Sequence, residues 1–259
     1  MILIDRGPLV PLGNSSGSQR MYVVHPLSGR VFDYVPLAQA LSGAFRVYGV
    51  EADGLHAGTR PAATLDDMAV RYAAAIRREQ PIGPYTLGGW SLGGVIAFEI
   101  ARRLEQWGER VARLVLIDAD RRHPPAPAPS ALRRSFVADS AFFFGYDRIV
   151  EFAADADAGF SRLVRFLSGP DADPDRVRAD LERRFDVQLA LLRIVDGHDP
   201  VGPVHARTLM VCACGSTNAV TDWADAVDGP VRELHLSTDH WQCMTTPYVE
   251  QIAAAVRCL

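Results

Sequence analysis

The sequence predicts an α/β fold, a mostly parallel central sheet with helices on both faces, interrupted by a helical insertion. Three observations carry that expectation. Short apolar runs of strand length alternate with segments of helical period from Met21 to Ile117 and again from Arg207 onward, the pattern of βαβ units. One strand-to-helix junction reads Gly88-Gly89-Trp90-Ser91-Leu92-Gly93-Gly94. Between Ser130 and about Asp199 the alternation stops and only helical periodicities are found.

Taken in order, residues 1–19 carry Pro8, Pro11, Gly13 and the polar stretch Asn14 to Ser18, and read as an N-terminal linker. Residues 20–120 and 201–259 read as the sheet-and-helix core, and residues 121–200 as a helical lid inserted into it. Met21 to Val24 is a short apolar strand running into the turn-forming His25-Pro26-Leu27-Ser28-Gly29, with a helix expected over Phe32 to Leu41. Phe45 to Val50 is the next strand. Thr64-Leu65-Asp66-Asp67 has the form of a capping box with Asp in the Glu/Gln place, and Leu65, Met68, Ala69, Tyr72 and Ile76 then share one helical face.

Tyr85 to Leu87 reads as the strand before the glycine-rich junction and Val95 to Trp107 as the helix after it. Arg113 to Ile117 is nearly all apolar, as a parallel strand buried on both faces must be, and it ends in Asp118. From His123 to Pro129 four of seven residues are proline, and the amphipathic run Pro174 to Val195 is the longest helix expected in the insertion. The core resumes with a strand at Arg207 to Cys212, a helix near Asn218 to Val227, a strand at Val231 to Leu236 and a helix from Tyr248 to Val256.

Composition excludes several classes. A chain of 259 residues can bury a full core as one domain. Its 27 Lys+Arg and 31 Asp+Glu are interspersed and sum to −4, so no basic face asks for nucleic acid or an anionic membrane. Cys212 and Cys214 alternate and are read as sharing one sheet face, Cys243 and Cys258 are isolated, and neither a disulfide framework nor a zinc spacing appears; no metal is expected. Asp5 and Arg6 follow only three apolar residues after Met1, and no apolar run reaches the ~18 residues of a membrane span, so a cytoplasmic location is expected.

The G-x-S-x-G core of the junction, Gly89, Ser91 and Gly93, has the form of a nucleophile elbow. Glycines remove the Cβ atoms that would collide where a strand turns sharply into a helix, which leaves the Ser91 hydroxyl exposed at a helix N-terminus. The competing reading is a glycine-rich turn without chemistry, since three fixed positions recur by chance in roughly one chain in ten of this length. The partners of Ser91 therefore decide.

A serine hydroxyl needs a base, and the base a carboxylate that holds its tautomer; in α/β-hydrolases they follow in the order Ser, acid, His. Of the histidines after Ser91, His240 lies between the last strand and the last helix, at the strand end where open parallel sheets bind ligands. His235 lies inside a strand and reads as solvent-facing, while His123, His198 and His205 flank the insertion in surface roles. His25 reads as loop structure or pocket lining. The loop after Cys212, where many hydrolases carry the acid, holds no carboxylate; Asp222 and Asp225 fall on an expected exposed helix, and Asp239 adjoins His240 and should point away. Asp118 emerges at the same sheet edge as Ser91 and is the chosen acid, with Asp120 a loop or lid contact.

Together Val24-His25-Pro26-Leu27-Ser28-Gly29, Gly89-Trp90-Ser91-Leu92-Gly93-Gly94, Leu116-Ile117-Asp118 and Asp239-His240-Trp241 resemble the thioesterase domains of nonribosomal peptide synthetases and polyketide synthases. The likeness runs from the Leu9-Val10-Pro11-Leu12 lead-in to the end and implies the α/β-hydrolase fold. In that family the acid commonly follows the strand after the elbow, in agreement with Asp118, and Trp90 before the serine resembles the terminating, synthetase-associated type. The resemblance implies an acyl, peptidyl or polyketide thioester on the phosphopantetheine arm of a carrier protein, released through Ser91 by hydrolysis or cyclisation. It implies oxyanion donors at the Leu27 and Leu92 backbone N–H groups and, because the arm belongs to the substrate, no bound cofactor. Trp241 and Gln242 depart from the commonest residues after the histidine.

Three other readings remain open on the residues alone: a carboxylesterase or lipase with the same triad, a non-catalytic binding protein of the same fold, and a zinc site at Cys212 and Cys214, whose C-x-C spacing falls short of the usual pattern. The insertion carries Phe136, Phe142, Phe143, Phe144, Phe152, Phe160 and Phe166; most are expected to pack it onto the body and some to roof the cavity, which favours a bulky apolar acyl chain and a mobile lid.

Overall fold

A computed structural model describes residues 7–13, 17–122, 125–144, 155–170, 172–200, 202–215 and 219–259. Its centre is a seven-stranded sheet of β1 (Leu9–Leu12), β2 (Gln19–Val24), β3 (Phe45–Val50), β4 (Tyr85–Trp90), β5 (Val111–Ile117), β6 (Arg207–Cys212) and β7 (Val231–His235). The order is β1-β3-β2-β4-β5-β6-β7, with β1 antiparallel to β3 and every other pair parallel.

The period-2 geometry of a strand divides the apolar residues between two cores. Met21, Val23, Val115, Ile117, Leu209 and Val211 face α1 (Val35–Ala40) and α8 (Tyr248–Arg257) on one side. Tyr22, Val24, Leu114, Leu116 and Met210 face α2 (Leu65–Glu79) and α3 (Leu92–Gln106) on the other. Thr64 caps α2 as its sequence requires, its side chain accepting from the Asp67 N–H. The predicted helix over Phe32 to Leu41 divides into a 3-10 turn, Phe32–Tyr34, and α1 with Pro36 in its first turn.

The N-terminal linker expectation is corrected at Leu9–Leu12, which pairs with β3 as an edge strand from Leu9↔Val50 to Leu12↔Val47. Leu12 is buried in the α1/α8 core, and Pro11 is tolerated because only one side of an edge strand has a ladder partner. The expected strand position of Cys214 is also corrected: β6 ends at Cys212, and exposed Cys214 lies in the turn beyond, its Sγ donating to the Leu236 carbonyl. The helix expected near Asn218 to Val227 is the short α7 (Ala219–Trp223), with Asn218 outside the described residues.

Between β5 and β6 stand α4 (Pro129–Phe143), α5 (Ala156–Ser168) and α6 (Pro174–Val195), with no strand among the described residues. Leu132, Phe136, Val137, Phe160, Leu163, Leu181 and Phe185 form a core belonging to the insertion itself. The other face of α6 docks Val187, Leu191 and Val195 into the main core, next to Gly29 and Leu55. Phe136 and Phe160 thus pack within the insertion, whereas Phe144 and Phe166 are exposed; the Phe142 and Phe143 side chains and Phe152 lie outside what is described.

The two stems of the insertion are pinned together. Arg121, buried, donates to the Pro200 and Asp222 carbonyls and pairs with Asp199 and Asp225, while Arg122 bridges Asp199 and Asp222 at 3.0 Å each. Both terminal nitrogens of Arg121 donate to carboxylate or carbonyl oxygens and its charge is paired with two carboxylates, which is what makes its burial tolerable. Asp222 and Asp225 are therefore occupied at this neck.

Candidate active site

Strand β4 breaks at Ser91, whose φ of 56° and ψ of −130° lie where non-glycine residues are rare, a strain of order 1–3 kcal/mol that the surrounding structure must hold in place. The flanking glycines show how little room there is. A Cβ at Gly89 would stand 2.0 Å from the Gly93 carbonyl oxygen, and one at Gly93 would stand 2.3 Å from that of Val24 and 2.9 Å from that of His25. The elbow is thereby packed directly on the end of β2. Ser91 is half-buried, and its N–H donates to the Ile117 carbonyl of β5 at 2.9 Å.

Beyond that point β2 and β4 separate, and a side chain bridges the gap. The Tyr34 hydroxyl donates to the Val24 carbonyl at 2.6 Å and accepts from the Trp90 N–H at 2.7 Å, replacing the ladder bond that the diverging strands cannot make. Burial drives its phenol pKa well above the ordinary tyrosine value. No sequence spacing links Tyr34 to Trp90; sequence reasoning missed it because only the splayed strand ends create the need.

Asp118 and His240 meet at the same sheet edge. Asp118 caps β5 with φ 45°, its side chain is 6 % exposed, and its Oδ2 lies 2.6 Å from His240 Nδ1. Its Oδ1 accepts from the Ala213 N–H at 2.9 Å. The loop after β6, which carries no carboxylate, thus contributes a backbone donor that holds the Asp118 carboxylate. A carboxylate can only accept here, so Nδ1 carries the proton and Nε2 is the nitrogen left free for a hydroxyl proton. The Trp90 ring packs on the imidazole with centroids 4.9 Å apart, which sets His240 beside the residue preceding Ser91. Trp241, 60 % exposed, meets both rings edge-on.

The other candidates lie elsewhere. The Asp239 carboxylate turns back to accept from the Trp241 and Gln242 N–H groups, capping the 3-10 turn Gln242–Met244. His235 is exposed and pairs with Glu233, and His205 is exposed against Glu105. His198 departs from a surface role: half-buried, it joins Arg102 in pairing with Glu99, a carboxylate only 3 % exposed that needs those partners. His123 lies outside the described residues. Among the described residues no group of three His, Cys, Asp or Glu is placed to hold a metal ion, and no helix is long and apolar enough to cross a membrane.

Two backbone N–H groups flank the elbow. Leu92 is the first residue of α3, where no intrahelical acceptor exists. Leu27 lies in the turn closed by the Gly29 N–H on the Pro26 carbonyl at 3.0 Å, and its own N–H donates to no group among the described residues.

A parallel sheet carrying a glycine-framed serine at one strand end, and an Asp–His pair at the neighbouring ends in the order Ser, Asp, His, defines an α/β-hydrolase-fold protein. Residues 19–135 match the family model of the thioesterase domain, and the chain as a whole is similar to the thioesterase domains of nonribosomal peptide synthetases. One similar structure is a four-domain nonribosomal peptide synthetase (TM-score 0.81, 26% identity, covering 97% of this chain and 20% of that one). Another is the Vlm2 thioesterase domain (TM-score 0.74, 20% identity, 96% of each chain), a likeness of fold.

Among curated relatives, an atromentin synthetase of Paxillus involutus is 40% identical over 121 residues, 45% of this chain and 13% of the relative. An inactive atromentin synthetase of the same fungus is 42% identical over 118 residues, 46% of this chain and 12% of that protein. The matched stretch is therefore about an eighth of the length of those relatives.

Proposed function

We propose that the chain is a serine thioesterase that releases an acyl, peptidyl or polyketide chain from the phosphopantetheine arm of a carrier protein. The observation that carries this reading is the 2.6 Å Asp118–His240 hydrogen bond beside the strained Ser91 elbow, in a chain whose residues 19–135 match the thioesterase domain. Asp118 holds the Nδ1–H tautomer, so His240 Nε2 takes the Ser91 proton as Oγ attacks the thioester carbonyl. The oxyanion is held by the Leu27 and Leu92 N–H groups. When the C–S bond breaks, the imidazolium returns its proton to the departing sulfur, leaving an acyl-serine and the pantetheine thiol. Water, or a nucleophile within the chain, then attacks the acyl-serine with His240 again acting as base.

The arm arrives with its carrier protein, so these steps need no resident cofactor. The insertion, with α6 docked beside Gly29, acts as a lid over the strand ends, and the whole operates in the cytoplasm. The test is incubation with an acyl-pantetheinyl thioester, with intact-mass detection of the acyl adduct. The adduct should map to Ser91 and vanish in Ser91→Ala. Labelling elsewhere, or turnover in that variant, would refute the nucleophile assignment; turnover of oxygen esters alone would favour an esterase.

A further inference from the structure

We propose that His25 is a positioning residue for the oxyanion site, acting through the Pro26 carbonyl to set the direction of the Leu27 N–H. This rests on the reading above that Leu27 supplies one oxyanion donor.

His25 has no exposed surface, yet it makes two side-chain hydrogen bonds at the end of β2. Its Nδ1 lies 2.9 Å from the Pro26 carbonyl oxygen and its Nε2 3.1 Å from the Tyr72 hydroxyl. A carbonyl can only accept, so Nδ1 carries the proton; Nε2 of the neutral ring then accepts from the Tyr72 O–H. The phenol also accepts from the Asp53 N–H at 3.4 Å, and it stands on α2, whose apolar face is buried in the main core. Burial pushes the His25 pKa down to about 4, so the neutral tautomer that this arrangement requires prevails near neutral pH.

The consequence lies in the next atoms of the chain. The Pro26 carbonyl and the Leu27 N–H belong to one planar trans peptide unit, in which they point in opposite directions. Fixing the oxygen fixes the hydrogen. Pro26 O receives both the imidazole and the Gly29 N–H at 3.0 Å, which uses both of its lone pairs. Without His25 the carbonyl keeps one donor and the peptide plane can rock about it. Oxyanion stabilisation depends on donors aimed in advance at the developing charge, so a rocking plane weakens the transition state more than substrate binding.

An Asn amide nitrogen stands close to the position of imidazole Nδ1, whereas a Gln amide reaches toward that of Nε2. His25→Asn therefore keeps the Pro26 donor and His25→Gln loses it. With an acyl-pantetheinyl thioester as probe, His25→Gln should lower kcat about ten- to a hundred-fold, with KM within about twofold, while His25→Asn keeps most of kcat. Thermal melts of both run alongside. Equal losses in the two variants that track lost stability, or a change in KM alone, would overturn the proposal.

If His25→Gln does not fold, Tyr72→Phe, which removes the outer anchor of the ring, should lower kcat at constant KM. An unchanged kcat there would overturn the proposal as well. Labelling of wild-type Ser91 keeps the two ideas apart: without it the reading of the site fails, whereas labelling with equivalent His25 variants defeats only the role of His25.

Discussion

Acidification should destabilise this protein through His25, by an amount the structure allows to be worked out. Its pKa is about 4 when folded, because burial disfavours the imidazolium, against 6.5 for a free imidazole. Between those values the unfolded chain binds more protons than the folded one, so stability falls as pH falls from about 6.5 toward 4. The linkage relation gives a loss of about 2 kcal/mol between pH 7 and pH 5 from this group alone. For a chain of this size that is roughly a 4–8 °C fall in Tm.

The groups facing the ring are the Tyr72 phenol, itself raised above the ordinary tyrosine range by burial, and behind it Glu51 and the Asp53 carboxylate, which Arg71 pairs at 2.8 Å. Asp33 and Asp139 have pKa values raised by burial and so contribute with the opposite sign, gaining stability as pH falls. Both are present in His25→Asn, so the difference between wild type and variant isolates the imidazole. Thermal and urea melts from pH 7 to pH 5 should converge on acidification, wild type losing about 2 kcal/mol more than the variant. Parallel curves would refute the buried neutral imidazole; His25→Gln serves the same comparison.

Other outcomes can be checked alongside. Asp118→Asn should cost several orders of magnitude in kcat with the fold retained, whereas Asp225→Asn, which disturbs the Arg121 neck, should lower the melting temperature and leave kcat within a few-fold; the reverse ranking would relocate the acid. Tyr34→Phe leaves the Trp90 N–H without its acceptor and should destabilise by about 1–3 kcal/mol while lowering the rate of Ser91 labelling by a phosphonate. Labelling at the wild-type rate would show that the elbow holds its shape unaided. A panel of acetyl to long-chain thioesters should favour long chains if the insertion roofs the site, and equal rates along the panel would remove the lid from substrate selection.

What the sequence determined by itself is whatever depends on local stereochemistry. Glycines at 89 and 93 announce a turn too tight for Cβ atoms, near-continuous apolar runs announce strands buried on both faces, and Thr64 and Asp67 announce a helix start. The placement of Asp118 at the edge that carries Ser91 was legible because consecutive parallel strands end on one edge, so the residue that follows the strand after the elbow emerges there. Long-range satisfaction of buried polar groups was not legible. Leu9–Leu12 becomes a strand only because β3 offers an open edge, and Tyr34, His25 and the Ala213 N–H acquire their roles only once strand ends separated by tens of residues leave donors and acceptors unmet. Such pairings carry no spacing signal, because they are dictated by which groups folding removes from water and not by their order along the chain.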